Sequence, residues 1–334
     1  MNLTLLQSLT AAFGVSGCED EIRTLILQEV TPLADDVTVD ALGNVIAHKQ
    51  GNGPRLMFSA HMDSIGLMVT HIDEKGYLRF CQVGGLEPAA IYQTPVRFQN
   101  GVCGVISVNE DKSDKQFKLA DLFVDIGAKD RADAETMVKV GDVAAYEGVF
   151  LANRSQVISS YLDNRAGCFV LLEALRQVER PQNDLYFVFS VQEEVGCRGA
   201  RTAAWSVHPE YGIAVDVTCP DDVPGAAHVG STAIGKGAAV KVMDSSVICT
   251  PSLVKRLREI AEANQIAVQD DILTCGGTDA GPMQVSHSGV KTGGISIPCR
   301  YTHAPAEAAA WEDMEACIAL VRAVCESELN THEF

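Results

Sequence analysis

Positive charge is scarce in this chain of 334 residues: 26 Lys and Arg stand against 44 Asp and Glu, a formal net charge of −18. A surface of that sign repels both duplex phosphates and anionic lipid, which excludes nucleic-acid and membrane-surface binding as functions. Long apolar runs are missing as well. None approaches the roughly 20 residues that cross a bilayer. The opening MNLTLLQSLTAAFGVSG has no basic stretch ahead of its helical apolar pattern, so no signal peptide is expected. C-x-x-C pairs are absent. Eleven cysteines, an odd number, are scattered from Cys18 to Cys325 without the spacing of a disulfide framework or a four-thiolate zinc site. They are expected to be reduced, mostly buried thiols of a cytoplasmic protein. There is no internal repeat and no low-complexity tract.

What is present suffices to fold. With 47% hydrophobic and 21% charged residues, wholesale disorder is ruled out. The length favours two domains, one with a large core and one with a smaller core. The first segment reads helix, helix, strand. Ser16-Gly17-Cys18-Glu19 fits a capping box ahead of the periodic Ile22, Leu25, Ile26 and Val30. VTVDALGNVIAHK reads as a hairpin turning at Leu42-Gly43-Asn44, and RLMFSA as a buried strand.

From about Leu67 to Ser159 the pattern changes to short alternating strands broken by Gly, Asn and Asp, with helical character only at Asp130–Val138. Such a segment predicts a small β-barrel or sandwich. Beyond Tyr161 helices and strands alternate again. Arg165–Val178 is a helix, LYFVFSV and GIAVDV are strands, and Thr250-Pro251 opens a helix to about Asn264. GGISIP follows as a strand and Trp311–Leu329 as a final helix. The fold class is α/β, interrupted by a β insertion.

Ionisable residues collect where apolar runs end: His61-Met62-Asp63 after LMFSA, Asp163 in YLDNR, Glu193-Glu194 after FVFSVQ, Asp216 in AVDVT, and His303 after SIPCRYT. Each alone has an ordinary explanation. A strand-end histidine is usually hydrogen-bonded structure, paired glutamates usually form a solvated turn, and Asp163 could be a helix cap. Together they lie where open α/β sheets bind ligands, beyond the carboxyl ends of the strands. Burying so many carboxylates demands a cation, and imidazole with carboxylate suits zinc or cobalt.

One arrangement would meet this demand if Asp163 bridged two ions. His61 and Asp216 complete one site, Glu194 and His303 the other. Three carboxylates leave two divalent ions with one positive charge, which a bridging hydroxide cancels, and that hydroxide is a nucleophile near neutral pH. Asp63 is placed to orient His61, and Glu193 to serve as general base.

The runs AHMDSIG (60–66), SYLDNRAG (160–167), VQEEVGCRGA (191–200), AVDVT (214–218), GGTDAG (276–281) and YTHAPAE (301–307) resemble the tetrahedral (TET) aminopeptidases. These are dinuclear metallopeptidases grouped with glutamyl aminopeptidases and with proteins historically labelled endoglucanases. The resemblance spans nearly the whole chain in the family's motif order. It departs from the family at Ser64 and in YTHAPAE, both beside rather than on the ligand positions, and at Ala238 of Gly235-Lys236-Gly237-Ala238, where Ala in place of Pro is expected to alter a substrate-side loop. It implies a three-layer α/β/α zinc-peptidase-like catalytic domain (1–66 and 160–334) with an inserted PDZ-like β-barrel for dimerisation (67–159). It also implies two zinc or cobalt ions on His61, Asp163, Glu194, Asp216 and His303, with Glu193 as base and Asp63 in support. The activity implied is cytoplasmic removal of N-terminal residues from peptides by self-associated subunits, commonly tetrahedral dodecamers. Thr278 and Asp279 of GGTDAG become substrate-binding candidates. His48, His71, His208, His228, His287 and His332 are expected to be ordinary, and Trp205 and Trp311 to serve packing.

Two other readings share the residues. One is a dinuclear amidohydrolase acting on small N-acyl amino acids, the other a non-catalytic metal-binding assembly protein. A glycosidase fits poorly, because Glu193 and Glu194 as neighbours on a strand would point to opposite faces.

Overall fold

The computed structural model describes residues 2–112, 117–226 and 230–329, so His228 and His332 lie outside the described residues. The chain opens with helices α1 (Leu3–Ala11) and α2 (Asp20–Val30) and strands β1 (Asp36–Val39), β2 (Val45–Lys49) and β3 (Arg55–His61). Six strands follow: β4 (Gly66–Ile72), β5 (Leu78–Val83), β6 (Pro95–Phe98), β7 (Cys103–Val108), β8 (Leu122–Asp125) and β9 (Val143–Tyr146). Short helices α3 (Pro88–Ile91) and α4 (Arg131–Met137) lie between them. Strands β10 (Phe150–Ala152) and β11 (Gln156–Ser159) lead into α5 (Leu162–Gln177). Then come β12 (Asp184–Ser190), α6 (Arg198–Val207), β13 (Tyr211–Thr218), β14 (Ala238–Met243), α7 (Pro251–Ala263) and β15 (Val268–Ile272). The chain finishes with α8 (Ala280–Gln284), β16 (Lys291–Arg300), β17 (Glu307–Ala310) and α9 (Trp311–Cys325).

Two sheets result, and the α/β class with an inserted barrel is what the patterning predicts. Strands β4 to β9 close into a barrel in the order β4-β5-β8-β7-β6-β9. The others form an 11-stranded sheet ordered β1-β2-β12-β3-β13-β16-β17-β11-β10, with β14 on β16 and β15 on β14. Its middle strands β12, β3, β13 and β16 are parallel. Parallel strands are covered on both faces, which is why they read as unbroken apolar runs. Helices α5, α7 and α9 pack with one another's neighbours and on β3, β13, β14 and β16, while α6 and α8 pack together and on β12, β13 and β16. One core lies around this sheet, with Phe58, Phe169, Phe187 and Phe189 inaccessible to water. A second fills the barrel and takes in Phe13, Val15, Ile65 and Tyr161 from the chain around it. Each large apolar side chain so buried contributes about 1.5–3 kcal/mol.

Several expectations are corrected. Ser16 does not cap α2. Its hydroxyl donates to Asp63 at 2.6 Å, and the helix begins at Asp20 without a side-chain cap. The barrel segment has a second helical turn, α3, where Pro88 occupies the first helical position. β10 and β11, inside 67–159, pair with each other and, through β11, with β17 of the large sheet. The last helix stops at Cys325, short of Leu329. Only five of the eleven cysteines are buried, fewer than expected of mostly buried thiols. Trp205 is 65% exposed and stacks on His287 rather than packing into the core.

The start of α5 is tied to β13 by close approach. Asn164 donates to the carbonyl of Val215 at 2.9 Å and accepts from the Gly167 amide at 3.1 Å. A Cβ at Gly167 would stand 2.3 Å from Asn164 Oδ1 and 2.6 Å from the Val215 carbonyl. Gly167→Ala is therefore expected to cost about 1–3 kcal/mol by overpacking. The measurement is a lowered urea midpoint at unchanged slope.

Candidate metal centre

Strand register explains how distant segments meet. On β12 and β3, Ser190 pairs with His61, so Glu193 and Glu194 emerge just beyond the end of β3. On β13 and β3, Ala214 pairs with Ser59, which brings Asp216 level with His61. β16 lies beside β13, with Ser296 opposite Asp216, and its exit turn carries His303. Asp163 enters from the first residues of α5, which packs on β3 and β13.

The donors form two groups that share one residue. His61 Nε2 is 3.1 Å from Asp163 Oδ1 and 3.7 Å from Asp216 Oδ1. His303 Nε2 is 3.4 Å from Asp163 Oδ2 and 3.3 Å from Glu194 Oε2. The two oxygens of Asp163 thus face two different imidazoles. Within each of the sets His61–Asp163–Asp216 and Asp163–Glu194–His303, the ligating atoms lie within 4.8 Å of one another. Tetrahedral ligands about 2.0–2.1 Å from zinc stand about 3.3 Å apart, so this spacing fits. Glu194 Oε1 is buried without a hydrogen-bond partner, and no Lys or Arg lines the cleft among the described residues.

Electrostatics point the same way. Burial lifts Glu193 and Asp216 well above the ordinary carboxylate range, against the pull of His61. Burial opposes charge on His61 and His303 too, but the carboxylates around them prevail. His61 is held well above its usual value, and His303 reaches about 11 through Asp163 and Glu194. Burial is outweighed again at Asp163, whose hydrogen bonds to His303 and His61 keep it below its usual value. These groups compete for positive charge, and divalent cations on the shared donors would satisfy them.

The surrounding bonds hold the donors in place. Asp63, inaccessible to water, accepts from the amides of Glu193 at 2.9 Å and Glu194 at 3.3 Å. His61 Nδ1 faces the Asp63 carbonyl at 3.2 Å and its carboxylate at 3.5 Å. One aspartate thus fixes both an imidazole and the Glu193-Glu194 turn. Because that pair lies in a turn past β12, not on a strand, the two side chains do not diverge to opposite faces. Glu193 is 3.9 Å from His61 Nε2, and Glu194 is 3.3 Å from His303 Nε2. The opposite-face argument against a glycosidase therefore fails, and the two imidazole-facing donor sets replace it.

Glu307 escaped sequence reasoning although it closes the run YTHAPAE. Its carboxylate accepts from the amides of Asp163 at 2.9 Å and His303 at 2.8 Å. Cys197, in VQEEVGCRGA, donates to Glu193 at 3.0 Å. Asp279 does not cap α8. It is buried under the centre, accepting from Ser59 at 2.7 Å and Ser190 at 2.6 Å. Thr278 lines the cleft and donates to Asp244 at 3.1 Å. Among the described residues, five of the nine non-glycine residues with left-handed backbone lie at or beside these positions: Tyr161, Gln192, Cys197, Tyr301 and His303. Such strain persists where surroundings over-determine it. Glu307→Gln is expected to weaken zinc binding about 10- to 100-fold by releasing two donor backbones, measured by competition against a chelator at unchanged far-ultraviolet dichroism.

Residues 43–320 match the model of the M42 glutamyl aminopeptidase family. A lysyl aminopeptidase of Pyrococcus furiosus is 37% identical over 351 residues, covering 99% of this chain and 98% of that one. Among solved structures, the aminopeptidase APDkam598 of the archaeon Desulfurococcus kamchatkensis superposes with a TM-score of 0.93 at 33% identity, covering 97% and 94%. The TET1 peptidase of Pyrococcus horikoshii, which assembles into a tetrahedron or a large octahedral shell, does so with a TM-score of 0.88 at 33% identity, covering 97% and 99%. With most of its length matched and its fold shared, the chain belongs to the M42 glutamyl aminopeptidase family of metal-dependent aminopeptidases.

Proposed function

We propose that the chain is a cytoplasmic dinuclear metallo-aminopeptidase that removes N-terminal residues from peptides. The observation that carries this reading is Asp163, which offers one oxygen to His61 at 3.1 Å and the other to His303 at 3.4 Å. Asp163, with His61 and Asp216 on one side and Glu194 and His303 on the other, would hold two zinc or cobalt ions. When bound, such ions act as Lewis acids and make water nucleophilic near neutral pH.

The chain's own residues do the rest. Glu193 takes a proton from the attacking water and hands it to the leaving amine. Its burial, which favours the protonated form, suits the second half of that task. Asp63 places Glu193 through the backbone amide it accepts, and Glu307 does the same for Asp163 and His303. Thr278 lines the substrate side, with Asp279 supporting the floor.

The division into a catalytic part, 1–66 and 160–334, and an inserted part, 67–159, belongs to the same proposal, with β10 and β11 of the insertion sharing the large sheet. A PDZ-like barrel for dimerisation and a three-layer catalytic domain belong to the same proposal, as does assembly toward a tetrahedral dodecamer, which the tetrahedron formed by the Pyrococcus horikoshii peptidase supports. The names lysyl, for one relative, and glutamyl, for the family, point to opposite charges and fix no side-chain preference here.

Anomalous scattering from zinc- or cobalt-loaded protein is expected to locate two ions either side of Asp163. Chelation should abolish hydrolysis of aminoacyl-p-nitroanilides and re-supplied metal should restore it. A substrate panel decides the reaction class: faster cleavage of N-acetylated than of free-amine substrates would reassign the protein to N-acyl amino acid hydrolysis. Glu193→Gln is expected to lower turnover about 100- to 10,000-fold with metal content unchanged. Full activity in that variant removes the assigned base.

A further inference from the structure

The cleft beside the candidate metal centre has a volume of about 460 Å³. Besides the histidines and carboxylates of the centre, it is lined by Val217, Thr218, Cys219, Leu273, Cys275 and Thr302, with Thr278 and several glycines. These uncharged residues make up a wall, and the only charged groups among the described lining residues are those of the centre.

The charges nearest the wall are already matched. Arg300 and Asp222 form a two-fold pair at 2.7 and 2.8 Å, and neither lines the cleft. Lys241, 1% exposed, lies 2.7 Å from Asp271 and 4.0 Å from Asp244. Those two carboxylates take the hydroxyls of Thr218 at 2.9 Å and Thr278 at 3.1 Å. Both threonines are held from behind, so their hydroxyl protons are directed away from the cleft. Cys219 and Thr302 likewise satisfy one another at 3.1 Å. The wall therefore offers sulfur, methyl and methylene surface with few free polar atoms. A charged side chain inserted there would lose water and find no counter-charge among the described residues of the wall itself, the carboxylates of the centre being engaged by the cations proposed there, and that is a large free-energy cost. An uncharged one would exchange water for apolar contact.

We infer that this wall is the specificity surface of the protein, and that it selects peptides whose N-terminal side chain is uncharged and of small to medium size, in the range of alanine, methionine and leucine. The inference rests on the aminopeptidase reading above and adds to it the class of substrate. It rejects both signs of charge, which the overall charge of −18 alone would not do, since net acidity would favour basic residues.

Metal-loaded protein assayed on Ala-, Met-, Leu-, Lys-, Arg-, Glu- and Asp-p-nitroanilides is expected to show kcat/KM for the uncharged group at least about 100-fold above either charged group. Equal values for Lys and Leu, or for Glu and Leu, overturn the inference. Cys275 is exposed and therefore tolerant of change. Cys275→Asp is expected to raise the Lys-to-Leu ratio of kcat/KM about tenfold, and an unchanged ratio overturns the assigned wall.

A measurement free of turnover separates this inference from the reading beneath it. Alkylation of Cys275 by iodoacetamide, followed by peptide mass spectrometry, is expected to slow several-fold with methioninamide and not with lysinamide or glutamic acid α-amide. If no free-amine substrate is cleaved, the aminopeptidase reading fails, and the protection pattern still decides what the wall accepts. Equal protection by all three amides overturns the inference.

Discussion

The folded chain gathers the buried Asp63, Asp216, Asp279 and Glu307 and the slightly exposed Asp163 and Glu193 around one cleft, with no lysine or arginine among the described lining residues. Like-signed carboxylates so arranged cannot all be ionised without compensating positive charge. Backbone amides supply part of it, at Asp63 and Glu307, and the serine hydroxyls of Ser59 and Ser190 supply a little at Asp279. His61 and His303 supply more, but only by taking protons far outside their ordinary range. The remaining deficit sits between the two oxygens of Asp163. Divalent cations held by the donors around Asp163, as proposed above, would resolve it.

The parallel middle of the large sheet is what makes such a concentration affordable in structural terms. β12, β3, β13 and β16 each contribute a candidate ligand, or the turn that bears one, at the same end. Their apolar bodies carry the stability, while His61 ends β3, Asp216 lies near the end of β13, and Glu193 and Glu194 lie in the turn beyond β12. This separation also accounts for what could be read from the residues alone. RLMFSA, LYFVFSV and GIAVDV declared themselves as buried strands by unbroken apolarity, and the histidines and carboxylates at their ends declared the site. The insertion was legible because the spacing of turn residues changes abruptly near Leu67.

What escaped did so for identifiable reasons. Glu193 and Glu194 read as strand residues because the apolar run before them gives no sign of where hydrogen bonding to its neighbours ends. The turn there depends on Gln192 in a left-handed conformation and on Asp63 gripping two successive amides, neither of which has a local sequence signature. Ser16 satisfies the spacing of a capping box, yet a buried aspartate 47 residues away offers its hydroxyl a better acceptor. Glu307 bonds only to backbone, so no pattern of side-chain types betrays it. β14 and β15 form a side branch off β16, and β15, its outermost strand, carries mixed polarity that no periodic template favours.

The same logic of matched charge extends behind the substrate cleft. Lys241 is the only fully buried lysine among the described residues, and on its own it would be costly. Asp271 and Asp244 neutralise it, and each carboxylate has capacity left for one threonine of the cleft wall. Thr218 follows Asp216 on β13 by two residues, and Thr278 immediately precedes Asp279 beneath the centre. One buried cation thereby holds two points of the wall at fixed distance from two acidic residues of the metal centre. Displacing it would loosen the wall and the centre together, so side-chain selection and the geometry of hydrolysis are not independent properties of this fold.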